Sequence, residues 1–323
     1  MRRTAIISDI HGNLPALRAV LADAARQGAE RYAFLGDYVF DMPWSNEVCE
    51  TLMDLKNAVF IAGNKEERLQ WLSLEDPEAG GCEQVAVVYE TLRELKPEYL
   101  SWLKSLPAEA RLPLEGGGAI KLVHIVAGAP GLWREAFSSG GYFRRSEGRA
   151  PSHAGLLKEF DGELNSAAYA DFVEGIDADA LAFGHNHLQS WCRSRSRVII
   201  DPGSAGQPLD FVPEPAYVIL EEKESGLRVI ERRVPYDVEA AIRAAKDTET
   251  YACGKIWCEL VFLSLRFARD YMSAMLRLAA AMAHRRGIAA RPFPNDLWRE
   301  AYDRFSEQLE AGVFYPVLGE TDR

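Results

Sequence analysis

Late in this 323-residue chain two histidines flank an asparagine, Gly184-His185-Asn186-His187, directly after the apolar run Ala180-Leu181-Ala182-Phe183. Two imidazoles two residues apart at the end of a buried strand suit metal ligation. Four upstream segments repeat the arrangement. Thr4-Ala5-Ile6-Ile7 leads to Asp9 and His11, Tyr32-Ala33-Phe34-Leu35 to Asp37, Val59-Phe60-Ile61-Ala62 to Asn64, and Ile120-Lys121-Leu122-Val123 to His124. In each case β-type sequence delivers a polar group at its carboxyl end, where open α/β sheets bind their ligands. The set Asp9, His11, Asp37, Asn64, His124, His185 and His187 mixes nitrogen and oxygen donors without a thiolate. That chemistry fits Mn, Fe, Zn or similar ions better than a cysteine-rich structural zinc site. Seven ligands exceed what one ion takes and suit two ions that share a carboxylate.

The elements that must position these groups follow from patterning. Gly12 and Asn13 let the backbone turn tightly after the first strand, and Leu14, Leu17, Val20 and Leu21 then recur at helical spacing. Residues 66–106 read as helices interrupted by a loop near 78–81. Their apolar positions, with Trp71 and Trp102 among them, are expected to pack against the sheet. Residues 256–284 read as one amphipathic helix with a wide apolar stripe that includes Trp257, Leu260, Val261, Phe267, Tyr271, Met275 and Leu276. Pro292-Phe293-Pro294 breaks the pattern before a last helix near 296–311. Cys253 and Cys258 have no second pair nearby and read as helix packing.

Asp9-Ile10-His11, Gly36-Asp37, Gly63-Asn64, His124 and Gly184-His185-Asn186-His187, in this order and spacing, resemble the five motifs of the calcineurin-like metallophosphoesterase superfamily. Asp201-Pro202-Gly203-Ser204-Ala205-Gly206-Gln207-Pro208 resembles a run found in a small bacterial phosphodiesterase branch of it. The resemblance covers roughly residues 1–235, the expected catalytic domain. Residues 236–323 are then a helical C-terminal extension serving as core padding, cap or dimer element. The fold it implies is of the α/β (α+β) metallophosphoesterase type, two mixed β-sheets sandwiched between helices.

Carried over position by position, the resemblance implies that Asp9, His11 and His187 hold one divalent ion. Asn64, His124 and His185 hold the other, and Asp37 bridges them. The ions would be Mn, Fe, Zn or Ni, with Mn favoured. Two such ions about 3.5–4 Å apart clamp a phosphoryl group and activate water for in-line attack, so no side-chain nucleophile is needed. Catalytic roles fall to Asp37, Asn64, Lys65 and His124.

Three positions depart from the pattern. Lys65 stands where the family often has histidine that assists the leaving group. With an ordinary pKa near ~10.4, lysine is a poor acid at neutral pH but can bind a phosphate oxygen as a point charge. Substrates with good leaving groups are therefore expected, a phosphodiester or phosphoanhydride of a nucleotide-like small molecule. A phosphomonoesterase is the alternative, and a non-catalytic metal-dependent scaffold is the alternative from another class, disfavoured because no ligand is missing. Ile125 replaces the usual glycine after His124. Asp201 replaces asparagine, either orienting a ligand histidine or serving as a turn residue before proline. Asn13 and Lys65 are candidate substrate contacts, joined by Arg144 and Arg145 in the Gly- and Arg-rich connection 128–153. His153 ends that connection without an identifiable partner.

Composition sets the remaining bounds. Lys and Arg number 37 against 48 Asp and Glu, a net charge of −11, so nucleic acid is not an expected partner. No apolar run is long enough to cross a membrane, and Arg2-Arg3 precedes only the short first strand. Five scattered cysteines suggest reduced thiols and a cytoplasmic setting. A homo-oligomer through the C-terminal helices is a further expectation.

Overall fold

A computed structural model of the chain describes residues 2–126, 152–164 and 167–312. Two five-stranded mixed sheets form its centre. In the first, β1 (Arg3–Ile7), β2 (Arg31–Phe34) and β3 (Ala58–Phe60) run parallel, and β9 (Ala216–Lys223) and β10 (Gly226–Arg233) complete the order β10-β9-β1-β2-β3. In the second, β5 (Ala119–Val123), β6 (Ala180–Ala182) and β8 (Arg197–Pro202) run parallel between antiparallel edges β4 (Glu109–Pro113) and β7 (Gln189–Ser194), in the order β4-β5-β6-β8-β7. β1 pairs with β2 in the register Thr4↔Arg31 and, antiparallel, with β9 in the register Arg3↔Glu221.

The strands read as near-continuous apolar runs because both faces of each sheet are covered. Successive side chains point to opposite faces. Ile6 points inward with Ile120, Leu122, Ala180, Ala182, Val198 and Ile200 into the layer between the sheets. Ala5 and Ile7 point outward, under helices α1 (Leu14–Arg26), α2 (Ser45–Met53), α3 (Asn64–Leu69), α4 (Ala86–Glu94) and α5 (Pro97–Ser105). On the second sheet Leu181 and Phe183 point outward beneath α6 (His153–Leu164) and α7 (Ala167–Glu174). The result is a four-layer α/β/β/α sandwich. Each fully buried Leu, Ile or Phe in it contributes roughly 1.5–3 kcal/mol.

The chain after β10 forms α8 (Val238–Lys246), α9 (Glu249–Cys253), α10 (Lys255–Phe267), α11 (Tyr271–Arg285) and α12 (Asn295–Glu310). α10, α11 and α12 enclose a core of their own around Met275, Leu297, Trp298 and Phe305. A second apolar seam joins them to the body, where Val261, Phe262 and Leu265 meet Met42 and Val87. The last helix lies close to where the sequence places it.

Two expectations are corrected. The stretch 256–284 is two helices, not one. Ala268 adopts a left-handed backbone (φ 49°) that ends α10, and the Asp270 carboxylate accepts from the Ser273 amide at 2.9 Å, which starts α11. Trp71 is 85% exposed rather than in the core. α3 stops at Leu69, whose side chain takes the inward position, so Trp71 falls in the following turn beyond the helical repeat. Trp102 does pack inward, its ring centroid 5.9 Å from that of Tyr38 and 5.4 Å from that of Phe60. Cys49, Cys82, Cys253 and Cys258 form no disulfide, and the Cys253 and Cys258 thiols both face the Thr250 carbonyl.

Candidate metal centre

The turns after β1, β2, β3, β5 and β6 all open at one end of the sandwich and bring the seven groups together. Five of the seven residues sit in the left-handed region: Asp9 (φ 56°), His11 (51°), Asp37 (55°), His185 (73°) and His187 (55°). Non-glycine residues seldom adopt it, and such strain concentrates at functional sites. Two glycines make the close approach possible. A Cβ on Gly63 would lie 2.2 Å from Asp37 Oδ1, and one on Gly184 would lie 2.1 Å from Ser8 Oγ and 2.8 Å from Asp9 Oδ2.

Asp9, His11 and His187 form one group whose ligand atoms all lie within 4.8 Å of one another, and Asp9, Asp37 and His124 form another. His187 Nε2 is 3.3 Å and His11 Nε2 3.9 Å from Asp9 Oδ1. Asn64 Oδ1 lies 2.9 Å from both His124 Nε2 and His185 Nδ1. Asp37 reaches both sides, with Oδ2 3.8 Å from His11 Nε2 and Oδ1 3.4 Å from His124 Nε2.

The orientation of three imidazoles is set by what their far nitrogens face. His187 Nδ1 donates to the Gln207 carbonyl at 2.5 Å and His124 Nδ1 to the Leu35 carbonyl at 2.7 Å. His11 Nδ1 lies 2.8 Å from Asp41 Oδ2, at an angle that departs from a well-aligned hydrogen bond. Carbonyl and carboxylate oxygens only accept, so these nitrogens carry the protons. Once deprotonated at Nε2, as metal ligation requires, the rings present lone pairs inward. His11 and His187 aim theirs at each other across 3.2 Å. Converging acceptors of this kind call for cations between them, and the carbonyl-anchored imidazole is the usual outer support of a metal ligand. The donor set therefore fits divalent ions.

Left to themselves, the acids and bases of the site charge one another. Burial alone would raise the Asp9 carboxyl, but the His187, His124 and His11 imidazoles hold it well below the ordinary carboxylate range. Burial lowers the His187 imidazole, yet Asp9 outweighs it and brings the group up to about 9. His185 is pushed down to about 4, by burial first and by its neighbour His124 second.

Several residues that the motifs did not single out complete the site. Asp41, almost fully buried and itself left-handed (φ 64°), sits beside His11 and 3.4 Å from Lys65 Nζ. Its other oxygen accepts from the Trp257 indole N–H at 2.8 Å. The Lys65 side chain is 22% exposed and points at the site, not to bulk solvent. Burial pulls its pKa down, but Asp41 and Asp37 reverse that and raise it. Glu66 accepts from the backbone amides of Asp37 (2.8 Å), Tyr38 (2.9 Å) and Gly63 (2.9 Å), which ties the second ligand turn to the third. Burial and the nearby Asp37 carboxylate raise Glu66 to about 7. The spacing Gly63 to Glu66, that of a capping box, is the signal in the sequence that could have found it. Asp201 is bonded to the Asn186 side chain between the two histidines and also accepts from the Gly203 amide at 2.9 Å. The Gly203 contact fits the reading of a turn residue before proline, whereas the side-chain partner is Asn186 and not a ligand histidine.

Asn13 is a correction. It is fully buried, its Oδ1 accepts from the Ala16 amide at 3.2 Å, and its Nδ2 donates to Gly206 O (2.7 Å) and Tyr236 OH (2.9 Å). Buried and committed to capping α1 and fastening the Gly206 loop, its side chain is not presented to a substrate. Arg144 and Arg145 lie outside the described residues. His153 has a partner after all, the Asp210 carbonyl at 2.9 Å.

A cleft of about 230 Å³, open on one side, holds His11, Asp37, Asn64, His185 and His187 together with Lys65 and Asp41. Its opposite wall comes from the C-terminal helices, through Trp257, Asp270, Met272, Ser273 and Leu276. A larger groove of about 640 Å³ reaches Asn64 and His124 and is lined by Val123, Ile125 and Phe172. Among the described residues, no helix is long and apolar enough to cross a membrane.

A family model for calcineurin-like phosphoesterases matches residues 2–189, a span that contains all seven groups. An uncharacterized protein of Methanocaldococcus jannaschii is 28% identical over 239 residues, 73% of this chain and 89% of that protein. Among solved structures, a metallophosphoesterase from Sphaerobacter thermophilus aligns at 25% identity with a TM-score of 0.57, over 83% of this chain and 99% of that one. A hypothetical protein from Pyrococcus horikoshii OT3 shares the fold at 21% identity and a TM-score of 0.56, over 80% of this chain and 98% of the other.

Proposed function

Since the chain belongs to the calcineurin-like phosphoesterase family and is thus a metal-dependent phosphoesterase, we propose that it hydrolyses a phosphodiester or phosphoanhydride of a small, nucleotide-like molecule. Asp9, His11 and His187 would hold one divalent ion, Asn64, His124 and His185 the other, and Asp37 would serve both. Mn²⁺ is our favoured ion. The observation that carries this reading is the set of inward-facing acceptors, above all the His11 and His187 Nε2 atoms 3.2 Å apart. Bound there, two divalent ions supply charge for the phosphoryl oxygens and lower the pKa of water.

The chain's own residues favour good leaving groups. Lys65, bracketed by Asp41 and Asp37, keeps its proton and offers a fixed positive charge to a phosphate oxygen or a departing oxyanion, rather than a transferable proton. The C-terminal helices spend their largest apolar side chains on an internal core, so we assign them the role of cleft wall ahead of an oligomer contact. The same Lys65 charge would suit the dianionic end of a phosphomonoester, the second reading.

Hydrolysis of matched aryl phosphate diesters and monoesters by metal-stripped protein, with and without Mn²⁺, separates them. Mn²⁺-dependent cleavage with the diester preferred is the expected outcome. Preference for the monoester moves the assignment to the second reading, and metal-independent cleavage of both would sink the two-ion site.

A further inference from the structure

We propose that Trp257, on a C-terminal helix beyond the stretch that matches the family, is a positioning residue for the phosphoesterase site and acts through Asp41 on Lys65. This rests on the reading of Lys65 as the residue that meets phosphate or the leaving group. The Asp41 carboxylate divides its two oxygens. Oδ1 accepts the Trp257 indole N–H at 2.8 Å, while Oδ2 faces Lys65 Nζ at 3.4 Å and His11 Nδ1 at 2.8 Å. Asp41 is almost fully buried on a left-handed backbone, so little water is available to replace a lost partner. A carboxylate rotates about one bond, and fixing one oxygen fixes the other. The indole N–H therefore sets where Oδ2 stands, and Oδ2 sets where the flexible Lys65 ammonium rests. Trp257 also packs against the extension's own core and against the seam that joins it to the body, which makes its ring a rigid mount for that N–H. Its neighbours Asp270, Met272 and Ser273 line the same cleft, so the extension reaches the site at more than one point.

The test separates the indole N–H from the indole bulk. W257F keeps the aromatic packing and removes the donor. With Mn²⁺-loaded protein and an aryl diester series, W257F should lower kcat/KM by about tenfold, the order set by loss of one hydrogen bond to a charged group. The deficit should grow as the leaving group worsens and should largely disappear in a K65A background, because interacting residues are non-additive. A readout independent of turnover comes from the ¹H–¹⁵N spectrum of the metal-free chain. One indole resonance, absent in W257F, should shift upfield in D41N, which keeps the shape and loses the charge. Equal slowing in the K65A and wild-type backgrounds, no slowing, or an indole resonance indifferent to D41N each overturns the proposal. Should W257F unfold, D41N measured in the wild-type and K65A backgrounds replaces it in the cycle, and an upfield shift of a single indole resonance in D41N is required in the spectrum. An unmodified protein without metal-dependent hydrolysis overturns the parent reading as well, whereas loss of the coupling alone overturns only this one.

Discussion

The two sheets bring chemically different halves to one site. The first supplies every oxygen donor, Asp9, Asp37 and Asn64, together with the single imidazole of His11. The second supplies imidazoles only, His124, His185 and His187. Separately, the first half is a cluster of acidic groups and the second a cluster of bases. Together they draw Asp9 down and His187 up. The difference teaches that the site is a property of the interface between sheets: neither half presents a complete set of ligands for either ion.

That comparison can be broken most severely at Asp37, whose two oxygens on the first sheet face His11 on one side and His124 on the other. Asp37→Ala should lower turnover by more than the ~10–100-fold that loss of an outer support alone costs, and should bring bound metal to near zero by elemental analysis. Asp37→Asn tolerates the left-handed backbone better and separates ligand loss from strain. His185→Ala removes one imidazole from the second sheet and should leave about one ion. Equal metal content in the two variants would mean that the halves are not distinct in the way described.

Removing the ions from the unmodified chain is the next largest perturbation. Metal at a hundredfold excess over its Kd stabilises a fold by about 2.7 kcal/mol per site. Chelation should therefore lower Tm, and Tm should climb with metal concentration when it is restored. A Tm indifferent to metal would indicate that the two halves hold together without it.

Lys65→Ala acts within the first half. It should slow hydrolysis by about tenfold, more for poor leaving groups than for good ones. Uniform slowing would make Lys65 a ground-state binding residue instead.

The smallest expected effect lies away from the site. Asp23 on α1 binds Tyr217 OH (2.7 Å) and Arg232 (3.0 Å) across the outer face of the first sheet. Burial would raise its carboxyl, but Arg232 and Tyr217 bring it below 3.8. A depressed folded-state pKa means that the stability Asp23 contributes is fully present above the ordinary carboxylate pKa and drains away as pH falls beneath it. Asp23→Asn should cost about 1 kcal/mol at neutral pH, flatten the acid limb of the Tm profile and leave metal content unchanged. A change in metal content would show that the outer face and the site are not independent.

Much of the catalytic half was legible because a strand ending in a polar group leaves a local mark, and all seven positions carry it. The links between elements left no such mark. Asp41 and Trp257 stand 216 positions apart, and only the docking of α10 makes one meaningful to the other. Asn13 was misread for the opposite reason. A polar residue beside a ligand turn suggests a substrate contact, yet the cap of α1 and the Gly206 carbonyl hold its side chain. The break between α10 and α11 was visible as Asp270-Tyr271-Met272-Ser273, but the apolar stripe on either side of it concealed the cap.

β1 is the middle strand of the first sheet, and one of its neighbours is β9, far along the chain. A truncation at residue 189, where the family match ends, would retain all seven ligands and strip away β9 and β10. The strand that carries Asp9 would then become an exposed edge, with unpaired amides and carbonyls open to other chains. Such a fragment should express as aggregates despite its complete ligand set. A soluble catalytic core requires the chain through Arg233 at the least.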